Sequence, residues 1–411
     1  MQDPFHNNDI LIELNCQFKI QMQSCNFSSI MKAFLQLLPQ LLEEFFQNVL
    51  TTFANYEMES TKKSFACEDC GNDTEFKWKT RHGKPTNILT LFCWITLRQL
   101  QIQCKHCGKK LYLTRMLLGM ESKKRIPDET RRKLALIGAL TSFRVSEKIG
   151  SMFGWAISKM TIWKSVQHIG SNLDFLLDDS EEARGEADGT GIGIKGIAKR
   201  GKELKVFVQH KKVGGIRVAG VDIGNYNGSW KNIFRKSIDV IKRFNCPFLL
   251  LTDGDTSIFD SLKGKVNVLT QRCLWHIPYQ AKYFLWKDSV KRKSQEWLYV
   301  VAELMEICAI RPMIECQETI ETMIESKRNR LEKLMEYCRE QGYRHTLSYL
   351  ENARGDMFTA IENRLEGKTT SKVERLFRTV NMRSKISKWS KQGALNVTKV
   401  RLAYYYNGFD A

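Results

Sequence analysis

The chain has 411 residues, room for two to four domains and at least one sizeable core. Its 64 Lys and Arg against 45 Asp and Glu leave a net charge of +19, which favours a polyanionic partner: nucleic acid first, an anionic membrane surface second. No run of about 18 uncharged apolar residues occurs, and the opening residues are polar, so neither a spanning helix nor a signal peptide is expected. Twelve cysteines in such a chain point to a reducing cytosol with bound metal rather than to disulfides.

Residues 28–56 repeat apolar side chains at three and four (Met31, Phe34, Leu35, Leu38, Leu42, Phe45, Phe46, Val49, Phe53). They predict an amphipathic helix for packing or oligomerisation within an N-terminal segment, residues 1–60, with Pro39 expected to kink or divide it. Residues 61–118 hold two Cys-x-x-Cys-Gly knuckles, Cys67–Cys70–Gly71 and Cys104–Cys107–Gly108. Four thiolates in two such pairs suit a structural tetrahedral Zn²⁺, and the Gly lets the backbone turn under the metal. Short strands between them make a zinc ribbon.

Basic residues crowd from Arg98 to Lys133. A charge run by itself is an ordinary solvated face; beside a ribbon it predicts a phosphate-binding surface. Residues 119–178 predict three helices: one capped by Asp128, one starting at Ser142 or Ser146 with Val145, Ile149 and Phe153 on its face, and, after a turn at Gly154, one capped by Ser158. This is a helix-turn-helix layout, although a structural three-helix bundle has the same pattern. The residues expected on DNA here are Lys123, Lys124, Arg125, Ser158, Lys159 and Lys164.

An acidic stretch at 178–182 reads as an exposed linker. Beyond it the period changes to that of strands, at 187–194, 204–211, 216–223, 248–252 and 266–273, with a helix over 230–244. The first three are spaced as antiparallel hairpins; the Leu249-Leu250-Leu251 run has the density of a buried parallel strand. The fold class expected is therefore α/β, with a core over residues 183–286, a helical insertion over 287–366, and a C-terminal helix and tail over 367–411.

Asp188 sits at a predicted strand opening, and Asp253 at a strand end before Gly254. Carboxylates at strand tips face a crevice, and three of them can hold two divalent ions roughly 3.5–4 Å apart for work on a phosphodiester. Glu374, on the last basic helix, is the third choice, although with Arg378 it also forms an ordinary i,i+4 pair. Asp255 competes with Asp253; Glu362 and Glu366 are fallback third acids. Cys273 and His276 admit a zinc pair, a nucleophilic dyad or a structural histidine.

In order, these motifs resemble the DDE transposases of the Mutator superfamily, and within it the Mutator-related group of bacterial and archaeal insertion sequences. Asp188 lies in a strand, Asp253 ends a hydrophobic strand as Thr252-Asp253-Gly254, Cys273-Leu274-Trp275-His276 matches a Cys-x-x-His motif, and Thr369-Thr370-Ser371-x-x-Glu374 matches Thr-Thr-Asn-x-x-Glu apart from Ser371. The likeness covers about residues 185–401. It implies a ribonuclease-H-like catalytic domain with a helical insertion, a triad of Asp188, Asp253 and Glu374 binding two Mg²⁺ or Mn²⁺, and His276 beside the scissile phosphate with Cys273 in the same motif. Lys372, Arg375, Arg378 and Arg383 would clamp the DNA backbone. The activity expected is that of a DNA transposase, cleaving double-stranded element ends and transferring them to target DNA. It would act as a homo-oligomer in a prokaryotic cytoplasm, at the nucleoid, without a membrane. The rivals are a zinc-dependent DNA-binding regulator without cleavage and a metal-dependent nuclease without strand transfer.

Overall fold

The computed structural model describes residues 26–60, 65–72, 75–120, 125–152, 157–195, 203–224, 226–310, 317–384 and 389–409. The chain divides into two compact units, one through Ile169 and one from Gly170.

The first unit opens with α1 (Phe27–Glu59), whose N-cap Asn26 accepts the Ser29 N–H. Of the two outcomes expected at Pro39, division does not occur: α1 runs through it. The ring removes one helical hydrogen bond, and tertiary packing offsets that loss: Leu42, Phe46, Leu50 and Ala54 pack into the apolar core of the ribbon. Glu43 and Gln47 also accept the N–H groups of Thr96 and Arg98, closing an exposed strand edge. That strand is β3 (Trp94–Arg98), the partner of β2 (Pro85–Leu89); β1 (Phe76–Thr80), β4 (Gln101–Cys104) and β5 (Lys110–Tyr112) make a separate antiparallel sheet in the order β1-β4-β5.

After the short α2 (Leu113–Leu117) come α3 (Asp128–Leu140), α4 (Phe143–Met152) and α5 (Lys159–Asn172). Ser142 and Ser158 accept N–H groups of Val145 and Thr161, as their cap roles predict. Asp128 does not cap: Pro127 occupies the N-cap position, and Asp128 instead places its charge in the first turn. The buried face of α4 is Ser146 and Gly150, whereas Val145 is exposed. Small side chains let that face approach its neighbours, and Ser146 Oγ lies 2.8 Å from Thr141 Oγ1. Phe153, Gly154, Lys123 and Lys124 lie outside the described residues.

In the second unit β6 (Arg184–Gly191), β7 (Glu203–His210) and β8 (Ile216–Gly224) form antiparallel neighbours. β9 (Phe248–Thr252) joins β6 in parallel and β10 (Val268–Arg272) joins β9 in parallel, giving a five-stranded mixed sheet in the order β8-β7-β6-β9-β10. The expected helix over 230–244 is broken into α6 (Tyr226–Arg235) and α7 (Ile238–Ile241), with Ser237 fully buried at the break. These and α8 (Thr256–Leu262) cover the face of the sheet bearing Ala187, Phe207, Phe248 and Leu250.

α9 (His276–Lys287), α10 (Gln295–Cys308), α11 (Gln317–Glu340), α12 (Arg344–Arg354) and α13 (Thr359–Glu362) bury their own core around Leu285, Leu304, Leu334 and Leu350. α9 supplies Ile277, Ala281 and Leu285 to it, so this core reaches back before residue 287. α14 (Ser371–Ser384) then packs on β6 and β7, and α15 (Lys391–Tyr406) on β8. The acidic stretch is not a free linker. Buried Gln209 exchanges hydrogen bonds with Asp178 and Glu182 backbone, and Arg217 meets the Asp178 carboxylate at 2.5 Å. Among the described residues no helix is long and apolar enough to cross a membrane.

Candidate active site

Asp188 lies inside β6, which starts earlier than expected, at Arg184. Side chains alternate across a strand, so Glu186 and Asp188 share the face opposite Ala187. Parallel register pairs Ala187 with Thr252, and Asp253 follows at once, on the neighbouring chain segment. The turn after it needs Gly254: its φ is +95°, and a Cβ there would stand 2.5 Å from the Arg272 guanidinium. Arg272 is itself buried and bonded to Asp356 at 2.8 Å. Asp255 has other work. It caps α8 through the Ser257 N–H and accepts Trp230 Nε1, so its carboxylate is committed to structure. The fallback acids are engaged as well, Glu362 with Arg328 and Glu366 with Arg184.

Glu374 stands in the first turn of α14, 121 positions after Asp253. What brings it in is a residue that the sequence did not single out. Glu186 is 1% exposed, and its Oε2 accepts the N–H groups of Lys372 and Val373 at 3.0 and 2.9 Å. Its Oε1 lies 2.9 Å from His210 Nε2. A strand carboxylate thus caps a distant helix and sets its first turn against β6. The available signal was a second carboxylate, Glu186, two positions from Asp188 and so on the same face of the strand.

Ligand atoms of Asp188, His276 and Glu374 lie within 4.8 Å of one another, with His276 Nε2 3.2 Å from Glu374 Oε1. Asp253 is not within that close group. It acts on the group by charge, because burial and then Asp253 drive the Asp188 carboxyl up to about 7. Burial also raises Asp253, although the Asp255 N–H that it accepts pulls the other way. Burial opposes the charge of His276, but its hydrogen bond to Cys273 and the nearby carboxylates outweigh this and hold it at about 9, an imidazolium at neutral pH. Cys273 is 1% exposed and accepts the Thr370 N–H at 3.3 Å. A thiol so enclosed is poorly placed as a nucleophile; it supports the imidazole. Carboxylates crowded this closely repel one another, and a cation between them would remove the penalty, so the group of Asp188, His276 and Glu374 could bind a metal.

In the first unit Cys67, Cys70, Cys104 and Cys107 gather their sulfurs within 4.8 Å, with Cys67–Cys107 at 3.3 Å and Cys70–Cys104 at 3.7 Å. A tetrahedral zinc with bonds of about 2.3 Å needs sulfurs about 3.8 Å apart. Gly71 and Gly108 both have positive φ, 68° and 77°, where each knuckle turns. Backbone N–H groups of Cys70 and Asp69 lower the Cys67 thiol to about 7. At Cys107 the Lys109 N–H pulls down, but sharing with Cys67 and burial win and raise it to about 12. Such a cluster could hold zinc.

Arg125, Ser158, Lys159 and Lys164 are exposed, as are Arg375 and Arg378, and Lys372 is half-buried. Arg383 is not a clamp. It is 3% exposed, with its guanidinium 4.7 Å from the Trp389 ring centroid, so its charge is withdrawn from any phosphate. Burial, then Arg401, lower it to about 10.

No protein-family description matches the chain, and no curated protein does. Among solved structures it is similar to a Drosophila P element transposase strand transfer complex, with a TM-score of 0.40 and 8% identity, over 71% of this chain and 94% of that one.

Proposed function

We propose that the chain is a DNA transposase of the DDE type, with a ribonuclease-H-like catalytic domain that cleaves the ends of a mobile element and joins them to target DNA. The supporting observation is the convergence of Asp188, His276 and Glu374, from a strand and the first turns of two helices, with Asp253 adjacent. The five-stranded mixed sheet, three antiparallel strands and two parallel ones, supports this reading.

Asp188, Asp253 and Glu374 would hold divalent cations, Mg²⁺ or Mn²⁺, which supply Lewis-acid charge at the phosphodiester oxygens. His276, as an imidazolium, donates a hydrogen bond to a non-bridging phosphate oxygen. Arg375 and Arg378 hold the backbone on either side. Water attacks first and frees a 3′-hydroxyl; that hydroxyl then attacks a target phosphodiester and expels a 3′-oxygen, with no bond to the protein. The four-cysteine cluster carries structural zinc in a ribbon that, with α3–α5, grips terminal DNA. Two ends must meet, so the chain acts as an oligomer, and the exposed Phe27, Phe34 and Phe45 of α1 suit that contact. The group expected is the Mutator-related insertion sequences of prokaryotes.

The test is a labelled element end incubated with the chain and Mg²⁺ or Mn²⁺. Nicking followed by joining is expected, and Asp188→Asn should abolish both while sparing binding. Nicking without joining leaves a plain nuclease; binding without nicking leaves a regulator.

A further inference from the structure

Trp275, Tyr279, Tyr283 and Trp286 run along α9, and each is between 54% and 69% exposed among the described residues. At 3.6 residues per turn their spacing places them within about 80° of arc. The inward side of the same helix is Ile277, Ala281 and Leu285, all buried. Core packing therefore does not explain these four rings, and a contiguous exposed aromatic face of this kind marks a contact surface. Its charge is positive. Lys282 Nζ lies 5.9 Å from the Tyr279 ring centroid, and Lys287 Nζ 4.9 Å from that of Tyr283. Tyr283 and Trp286 stack nearly parallel, 28° apart.

The stripe begins next to the acids, because Trp275 immediately precedes His276. Beside it opens a cavity of about 390 Å³, lined among others by Trp275, Pro278, Tyr279, Lys282, Lys368 and Thr369. That volume falls within the ~300–1,000 Å³ usual for small-ligand pockets. Thr369 adjoins Thr370, whose hydroxyl is 3.5 Å from His276 Nδ1. The cavity therefore lies one residue from the acidic group on two segments, at Trp275–His276 and Thr369–Thr370.

We propose that the outer face of α9 is a stacking track for unpaired deoxynucleotides, carrying a single DNA strand between the cavity beside Trp275 and Trp286. It rests on the phosphodiester chemistry above, and names the form of DNA taken there. Duplex DNA hides the faces of its bases, so aromatic platforms flanked by lysines recognise single strands. Rings four residues apart stand about 6 Å apart along a helix axis, wider than the roughly 3.4 Å rise of a stacked duplex strand. That spacing suits an extended strand, with lysines at its phosphates and a terminal base in the cavity.

The experiment uses the full chain carrying Asp188→Asn, the variant expected to bind without cutting. A fluorescent duplex is compared with the same duplex bearing an unpaired thymidine tail of about ten nucleotides, within the range that such grooves cover. The tail should tighten binding on the order of tenfold or more. Trp275→Ala with Trp286→Ala should erase that gain, leave duplex affinity unchanged, and keep the circular dichroism of the parent; Phe at both positions should retain most of it. Equal affinity for both DNAs, or a gain that survives the alanine pair, overturns the track. So does sedimentation showing that the alanine pair only dissociates an oligomer. Cleavage by the unsubstituted chain is scored separately: a tail-dependent gain without any metal-dependent cutting removes the transposase function and leaves the strand track standing.

Discussion

Replacing Glu186 by Gln tests how the third acid is held. The carboxylate accepts two backbone N–H groups at the start of α14 and faces His210 on its other oxygen, while 1% exposed. A hydrogen bond to a charged group contributes roughly 1.5–3 kcal/mol, and a carboxylate at a partly buried helix N-terminus up to about 2 kcal/mol. Gln keeps an acceptor oxygen and loses the charge, so about 2 kcal/mol should be lost at the first turn of α14. Glu374 sits in that turn, and the same loss expressed in cation binding is about 30-fold. Mn²⁺ titration followed by the paramagnetic resonance of the free ion measures it, beside a thermal unfolding curve. Glu374→Gln should weaken Mn²⁺ binding and leave the unfolding midpoint alone; Glu186→Gln should lower both. Parental Mn²⁺ affinity and midpoint in Glu186→Gln would refute the anchoring role.

Asp188 makes pH matter in two ways. Its carboxyl is raised from 3.8 to about 7, so between those values the folded chain keeps a proton that the unfolded chain has released. Metal-free stability should therefore fall as pH rises through that window, by on the order of a few kcal/mol, while Mn²⁺ affinity rises across the same range; chemical denaturation at pH 5 and 8, with and without Mn²⁺, checks both signs. For the four-cysteine cluster, native mass spectrometry should find one zinc per chain, and Cys67→Ser should lose it and destabilise the ribbon core that Cys67 and Cys104 share with Leu50 and Ile102. The two arginines of α14 should part company. Arg378→Ala should reduce the salt dependence of DNA binding by about one unit of slope, whereas Arg383→Ala should lower the melting temperature with the slope unchanged.

Legibility followed locality. The Leu249–Leu251 run announced a buried strand, and β9 occupies the expected residues. Both knuckles were evident because each pairs its cysteines at a short spacing, and the two pairs bring their sulfurs together. The acids were visible one at a time, by the strands or helix that carry them. That Asp188 and Glu374 meet was expected from the family resemblance alone, since it depends on a cap supplied across 186 positions by Glu186. Charge alone also misled: Arg383 reads as a clamp on a basic helix, yet the helix turns it onto Trp389. The acidic stretch looked solvated, because nothing in it reveals that Gln209 grasps its backbone. Pro39 showed that a local penalty of one hydrogen bond yields to thirty-three residues of favourable register.

The Glu186 cap ties assembly of the Asp188, His276 and Glu374 group to the order of synthesis. A ribosome makes the strand carboxylates long before it reaches residue 374, and the capping oxygen has no helix to hold until Lys372 and Val373 arrive. A polypeptide interrupted in that interval would carry the four-cysteine cluster, Asp188 and Asp253, but not Glu374. Under the proposed function such a fragment would bind the same DNA without breaking it, and so would compete with the intact chain.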